Sequence, residues 1–162
     1  MLTPLTNKIG MLQEKLSENF KEALKAGDTS KVETLRLLIA SIKNKEIEKR
    51  GKGQESILSD DEVLELLMKE SKKRKESFDI YAQNNRPELA EKEKIEIEII
   101  SKYLPEQISE QEVEKLVENA ISKTNASTVK DMGKVMGEVM KDAKGKADSK
   151  LISDIIKKKL GI

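Results

Sequence analysis

The stretch Tyr103-Leu104-Pro105-Glu106-Gln107 decides how this chain is divided. Pro105 has no backbone N–H and its ring clashes with the preceding helical turn, so the helix that leads into it has to end there. The residue before a proline is also pushed toward an extended conformation. Soon afterwards, Ser109-Glu110-Gln111-Glu112 has the form of a capping box, which starts a new helix. The sequence therefore predicts two parts, residues 1–104 and residues 105–162.

Apolar residues recur every three or four positions on both sides of this joint, which is the spacing of one helix face. In the first part, cap residues or an N-terminal proline mark the expected helix starts, at Thr3-Pro4, Ser30, Ser59 and Pro87. In the second part, three shorter helices are expected, and the breaks between them fall near residues 124–127 and at Gly145. The predicted fold class is all-α, with an N-terminal bundle of four long helices followed by a small three-helix C-terminal domain.

The composition limits the chemistry. The chain has no cysteine, which removes disulfides and thiol catalysis, and no histidine, which removes the commonest general base. No apolar run approaches the roughly 18 residues of a membrane span, and the N-terminus lacks a signal-peptide pattern. We therefore expect a cytoplasmic protein with no membrane partner, no metal and no cofactor.

Positive charge is concentrated near the C-terminus. Residues 122–162 contain ten lysines and five acidic residues, a net charge of +5. A local excess of this kind favours a polyanionic partner, although a solvated helical surface is an alternative explanation. The candidate contacts are Lys134, Lys141, Lys144, Lys146 and Lys150, with Lys72 and Lys73 as a weaker second patch.

Gly133 and Gly137 lie on one side of the same predicted helix. Each costs about 0.8–1 kcal/mol relative to alanine in a helix interior, so something should compensate. Close approach of a neighbouring helix is the preferred explanation. The alternative is that the backbone of a ligand, such as a phosphodiester, approaches the bare helix surface.

Several charged residues fall within or beside the apolar faces of the first part: Arg36, Glu70, Arg74, Glu93 and Glu96. Carboxylates in a helical bundle can hold two metals, but that design uses Glu-x-x-His pairs and this chain has no histidine. An ion-paired network is therefore the better hypothesis. Removing one partner of such a pair typically costs about 3–5 kcal/mol.

Five groups of residues occur in an order and at a spacing that can be compared with the sequence motifs of known protein families. They are Leu35-Arg36…Ile42-Lys43-Asn44…Glu46-Ile47, Lys73-Arg74…Ser77…Tyr81, Arg86-Pro87-Glu88-Leu89…Glu93…Glu96, Tyr103-Leu104-Pro105, and Met132-Gly133-Lys134-Val135-Met136 with Gly145-Lys146-Ala147-Asp148-Ser149-Lys150. As an ordered set they resemble the GatB/YqeY family, and the resemblance runs nearly from end to end.

The resemblance implies a function. The free-standing YqeY-like proteins are similar to the C-terminal tail of the B subunit of the tRNA-dependent amidotransferase, a tail that contacts tRNA and carries no chemistry itself. We therefore expect a non-catalytic accessory protein of translation. Its expected partner is tRNA, or an aminoacyl-tRNA-related protein. The family often has Gly-Arg-Ala-Asp-Gly where this chain has Gly145-Lys146-Ala147-Asp148-Ser149. Lysine lacks the bidentate fork of arginine, so a simple electrostatic contact is expected at Lys146.

Two other functions remain open. A protein–protein interaction module would use the methionine stripe at Met132, Met136 and Met140 to dock a partner helix, although such stripes usually belong to a core. A carbon–nitrogen ligase with glutamine as amido donor follows only from the family label. The chain has neither a cysteine nucleophile nor a histidine base, and Gly51-Lys52-Gly53 lacks the spacing of a phosphate-binding loop.

Overall fold

The structure is a computed structural model that describes residues 10–162, and this range contains helices and no strand. The α-helices are α1 Met11–Ala26, α2 Thr29–Gly51, α3 Asp60–Gln83, α4 Pro87–Ser101, α5 Glu110–Thr124, α6 Met132–Ala143 and α7 Ser149–Leu160. A short 3-10 turn, Val129–Asp131, precedes α6. The predicted all-α class is confirmed for this range. The predicted start at Thr3-Pro4 lies outside the described residues.

Two helix starts follow the predicted capping boxes. Ser59 Oγ accepts a hydrogen bond from the Glu62 N–H at 3.2 Å, and the Glu62 carboxylate accepts one from the Ser59 N–H at 2.9 Å. Ser109 and Glu112 form the same pair of bonds at 3.2 and 2.9 Å. These bonds satisfy N–H groups that a helix N-terminus otherwise leaves unpaired.

Two helix boundaries differ from the prediction. α2 begins at Thr29 and not after a Ser30 cap, because the Asp28 carboxylate reaches the Lys31 N–H at 3.2 Å. Aspartate and serine cap about equally well, so the sequence could not rank them. α4 ends at Ser101, ahead of the expected Leu104. The last residues before Pro105 form turns instead, in which the Leu104 N–H donates to the Ser101 carbonyl at 3.2 Å.

The chain separates into two compact units, a first unit of Met1–Leu104 and a second unit of Pro105–Ile162. Within the first unit, α1 packs on α2 and α3 packs on α4. Its buried core consists of Leu16, Leu35, Leu38, Ile42, Leu58, Val63, Leu67, Ile100 and Tyr103. None of the helices in residues 10–162 combines the length and apolar character that crossing a bilayer requires.

The second unit has its own core. Helices α5, α6 and α7 each contact the other two. The buried residues are Val113, Val117, Ala120, Val135, Val139, Ala143, Ala147, Ile152, Ile155 and Ile156. Met132, Met136 and Met140 are half-buried and pack against this core. The methionine stripe that could have docked a partner helix is therefore largely used inside the unit.

Candidate functional site

Three of the predicted lysines lie where α6 passes into α7: Lys144 and Lys146 in the connecting turn, and Lys150 in the first turn of α7. Gly145 is buried and its backbone is in the left-handed conformation, with φ of 73°. Glycine adopts this conformation without the steric penalty that a Cβ brings. The Lys146 N–H donates to the Ala143 carbonyl at 2.9 Å, and the Asp148 carboxylate caps α7 by accepting from the Lys150 N–H at 3.3 Å. We call residues 144–150 the lysine turn.

The segment that follows Pro105 holds the lysine turn in place. The Gln107 side-chain amide donates to the Gly145 carbonyl at 2.7 Å and to the Pro105 carbonyl at 2.8 Å. The neighbouring Ile108 N–H donates to the Lys146 carbonyl at 3.0 Å. Two successive backbone carbonyls of the lysine turn are therefore held by the segment after Pro105. Gln107 and Ile108 were not predicted as supports of the site, because no local pattern links residues so far apart in the chain.

Among residues 10–162, Gly133 and Gly137 do not pack against another helix, so the preferred explanation of their presence is wrong. Both glycines are exposed, and a Cβ added to either would meet no atom of the described chain within 4 Å. Within the described residues, no neighbouring element compensates for their low helix propensity. The open alternative is that something outside the chain approaches this bare surface, which we call the glycine face of α6.

The remaining predicted lysines of the second unit lie along α6. Lys134 is exposed in the first turn, about 15 Å along the helix axis from Lys144. Lys141, in the last turn, donates to Glu138 at 2.6 Å, and this hydrogen bond lowers the pKa of the Glu138 carboxyl. Glu138 also lies 3.4 Å from the Lys123 ammonium. Lys141 therefore has an intramolecular partner, whereas Lys134 extends into solvent.

Lys72 and Lys73 belong to the first unit. Both are exposed side chains in the middle of α3. They are therefore part of a different unit from the lysine turn, and the weaker second patch remains a prediction.

The charged residues within the apolar faces of the first unit form a smaller cluster than expected. The Arg74 guanidinium lies 3.2 Å from a Glu93 oxygen and also pairs with Glu96. Glu96 is only 4% exposed. Burial raises the pKa of Glu96, and the charge of Arg74 opposes this increase. Such a buried arrangement fixes the position of α4 against α3 more than it adds net stability.

Two residues expected in this network lie outside it. Arg36 is exposed, and its guanidinium lies 5.8 Å from the centre of the Phe20 ring. Glu70 is half-buried, and among residues 10–162 it forms no ion pair. In the same range, no group of three acidic side chains is placed to hold a metal ion. Helical periodicity predicts which residues lie near the apolar face of a helix, but not which of them a neighbouring helix covers.

The family of the protein follows from comparison with known sequences. Residues 13–160 match the family described as Yqey-like protein. The chain belongs to this family. The resemblance predicted from the five ordered groups of residues is thereby confirmed, and the match includes α1 to α7 almost completely.

Curated relatives are similar over part of their length. Altered inheritance of mitochondria protein 41, mitochondrial, of Lachancea thermotolerans is 38% identical over 89 residues, which cover 55% of this chain and 46% of the relative. The protein of the same name from Eremothecium gossypii is 36% identical over the same coverage. An uncharacterized protein of Schizosaccharomyces pombe is 30% identical over 98 residues, covering 60% of this chain and 76% of the relative. The match thus spans about half the length of the first two relatives.

These relatives correct the expected localisation. A cytoplasmic protein was expected, whereas the first two relatives are named as mitochondrial proteins. The cytoplasmic prediction is therefore wrong. It was derived from the lack of a membrane span and of a signal-peptide pattern, and neither feature identifies the compartment in which a helical fold works.

Proposed function

We propose that this protein binds tRNA as an accessory module without catalytic chemistry of its own. The proposed architecture is a four-helix bundle at residues 1–104 and a three-helix domain at residues 105–162, and the proposed binding surface lies on the second. It consists of the lysine turn and the glycine face of α6, with Lys134 at the far end. The relation to the amidotransferase tail is part of this proposal.

The observation that carries the proposal is the glycine face. Gly133 and Gly137 weaken α6 and contact nothing in the described structure. A surface without side chains lets a ligand approach the helix backbone closely. Lys134 and the lysine turn supply positive charge at the two ends of this surface. Charge with open access suits the phosphate backbone of a folded RNA.

The binding mode should depend on shape and charge more than on base stacking. Aromatic residues are only 2% of the chain, and the proposed surface contains none. Recognition of single strands usually relies on aromatic side chains that stack on bases. Folded RNA is recognised largely through its shape, phosphates and 2′-hydroxyls, which lysines and bare backbone can contact.

The test of the proposal is a salt titration of tRNA binding with a matched pair of variants. The first variant replaces Lys144, Lys146 and Lys150 with glutamine. The control replaces three exposed lysines on α5 and near the end of α7, Lys115, Lys157 and Lys158, so that the change in charge is the same. Binding is measured by electrophoretic mobility at several salt concentrations.

We expect the unmodified chain to bind tRNA with a steep dependence on salt. Each phosphate contact contributes about −0.9 to the slope of log K against log salt for a duplex, so the first variant should have a slope shallower by about 2 to 3. The control should retain most of the original slope. Absence of salt-sensitive binding, or an equal loss in both variants, would contradict the proposed surface.

Gly137→Ala gives opposite effects on stability and on binding. The substitution should raise the free energy of unfolding by about 0.8–1 kcal/mol, because alanine is the better helix former and the added methyl meets no neighbour. If RNA approaches the glycine face, the same methyl should weaken tRNA binding. Thermal denaturation and the mobility titration measure the two effects. Increased stability with unchanged affinity would place the ligand elsewhere.

A further inference from the structure

A cavity of about 230 Å³ lies in the first unit, beside the last residues of α4. It is lined by Lys15 and Asn19 of α1, Lys31 of α2, and Ile99, Lys102 and Tyr103 at the end of α4. Half of these residues are lysines and none is acidic. All of its residues belong to the first unit, so it shares no residue with the lysine turn or the glycine face.

The wall of the cavity presents a positioned hydroxyl group. The Asn19 side-chain amide donates to the Tyr103 phenol oxygen at 2.6 Å. Because that oxygen accepts from Asn19, the phenol hydrogen can donate to a further acceptor. Tyr103 is only 8% exposed, and the Lys15 ammonium lies 5.8 Å from the centre of its ring. Packing and hydrogen bonding therefore fix this donor in advance.

Within the described part of the chain, no acidic side chain lines the cavity. Among residues 10–162, neither Lys15, Lys31 nor Lys102 forms an ion pair. By contrast, a cavity between α2 and α3 is lined by two lysines that are both paired, Lys45 with Glu48 and Lys69 with Glu65. A concave site lined by one sign of charge concentrates counter-ions of the opposite sign.

We propose that this cavity binds a phosphate group. The lysines come from three separate parts of the first unit, namely α1, α2 and the turn after α4. The Tyr103 phenol adds a fourth donor beside Lys102, so several donors can meet one tetrahedral oxyanion. A phosphate has enough oxygens to accept from all of them, and each bond between an ammonium and a phosphate oxygen is charge-assisted. A cavity of about 230 Å³ also leaves space for bridging waters, which occupy roughly 30 Å³ each in the liquid.

Tyrosine fluorescence provides a direct readout. The chain contains no tryptophan and two tyrosines, so Tyr81→Phe leaves Tyr103 as the one emitter. We expect inorganic phosphate at roughly millimolar concentration to change the emission in a saturable way, because the phenol hydrogen bonds to the anion. Sodium chloride at the same ionic strength should not. An identical response to phosphate and chloride would overturn the proposal.

Two matched lysine variants, made in the same background, locate the site. Lys31→Gln combined with Lys102→Gln removes two cavity charges, whereas Lys25→Gln combined with Lys94→Gln removes two exposed charges that do not line it. We expect the first pair to weaken phosphate binding by at least about tenfold, since charge-assisted hydrogen bonds are the strong ones. The second pair should bind as before. Equal affinities for the two variants would place the anion elsewhere and overturn the assignment.

The source of the phosphate is resolved with adenosine monophosphate and adenosine as further probes. Binding of the monophosphate without binding of adenosine supports a phosphomonoester ligand. Binding of inorganic phosphate alone supports the free ion. Equal binding of adenosine and its monophosphate would show that the phosphate group is not recognised. Replacing Lys144, Lys146 and Lys150 with glutamine should leave these titrations unchanged. Phosphate binding in the cavity is therefore tested independently of tRNA binding.

Discussion

Replacing Arg74 with methionine is expected to lower the free energy of unfolding by about 3–5 kcal/mol at neutral pH, because it leaves a buried carboxylate without its counter-charge. Arg74 pairs with both Glu93 and Glu96, and their side chains are only 14% and 6% exposed. Methionine keeps most of the apolar stem of arginine, so the loss reports on the charge more than on packing. Urea denaturation followed by helical circular dichroism measures the effect.

The destabilisation by Arg74→Met should depend on pH. Burial raises the pKa of folded Glu96 above the ordinary value of 4.5, so the folded state holds a proton at this site more readily than the unfolded state. The contribution of Glu96 to the free energy of unfolding therefore decreases as the pH rises from 4.5 through the folded-state pKa. The charge of Arg74 limits this decrease in stability, so the decrease should be larger in Arg74→Met. The destabilisation caused by Arg74→Met should therefore become smaller when the pH is lowered toward about 4.5.

Two further variants separate charge from other causes. Arg50→Met removes an exposed arginine at the end of α2 and should change stability by less than about 0.5 kcal/mol. Combining Arg74→Met with Glu96→Leu replaces the pair by apolar side chains and should recover most of the lost stability. A penalty for Arg74→Met that is independent of pH, with no recovery in the double variant, would rule out the buried-charge explanation.

Replacing Ile152 with alanine is expected to destabilise the second unit by about 2–5 kcal/mol. Ile152 is completely buried in the core of α5, α6 and α7, so its truncation removes apolar contacts and leaves a cavity. A small unit has a total stability of about 0.05–0.15 kcal/mol per residue. The substitution should therefore remove much of what holds the second unit together.

Leu67→Ala is the matched change in the first unit, since Leu67 is equally buried in the other core. The two cores have no residue in common. Hydrogen exchange is the appropriate measurement, because it reports local opening along the chain. We expect Ile152→Ala to reduce protection mainly in residues 105–162 and Leu67→Ala mainly in residues 10–104. Uniform loss throughout the chain in both variants would contradict a division at Pro105.

Helix starts depend on signals that act over a few residues, and the sequence predicts some of them correctly. The capping boxes at Ser59 and Ser109 form as predicted, because cap and partner are separated by one helical turn. The start of α2 was misplaced because Asp28 and Ser30 are both good N-caps. The failure at α2 shows that local patterns identify a helix more reliably than they identify its first residue.

The tertiary surroundings of a residue were harder to predict. Arg36 and Arg74 both lie near apolar arcs in the sequence, but only Arg74 is covered by a neighbouring helix that supplies carboxylates. Gly133 and Gly137 suggested helix packing, and their exposure reverses that interpretation. The cavity at Tyr103 combines side chains from three distant segments. In each case the surroundings of the residue depend on which helix packs against it, and the periodicity of the sequence does not contain that information.

The hydrogen bonds of Gln107 and Ile108 determine where a fragment that contains the second unit has to begin. A truncation designed from helix boundaries would begin at Glu110 or at its cap, Ser109. It would discard the amide that holds the Gly145 carbonyl and the N–H that holds the Lys146 carbonyl. A tail fragment meant to retain the shape of the lysine turn has to begin at Pro105, although residues 105–108 contribute no helix.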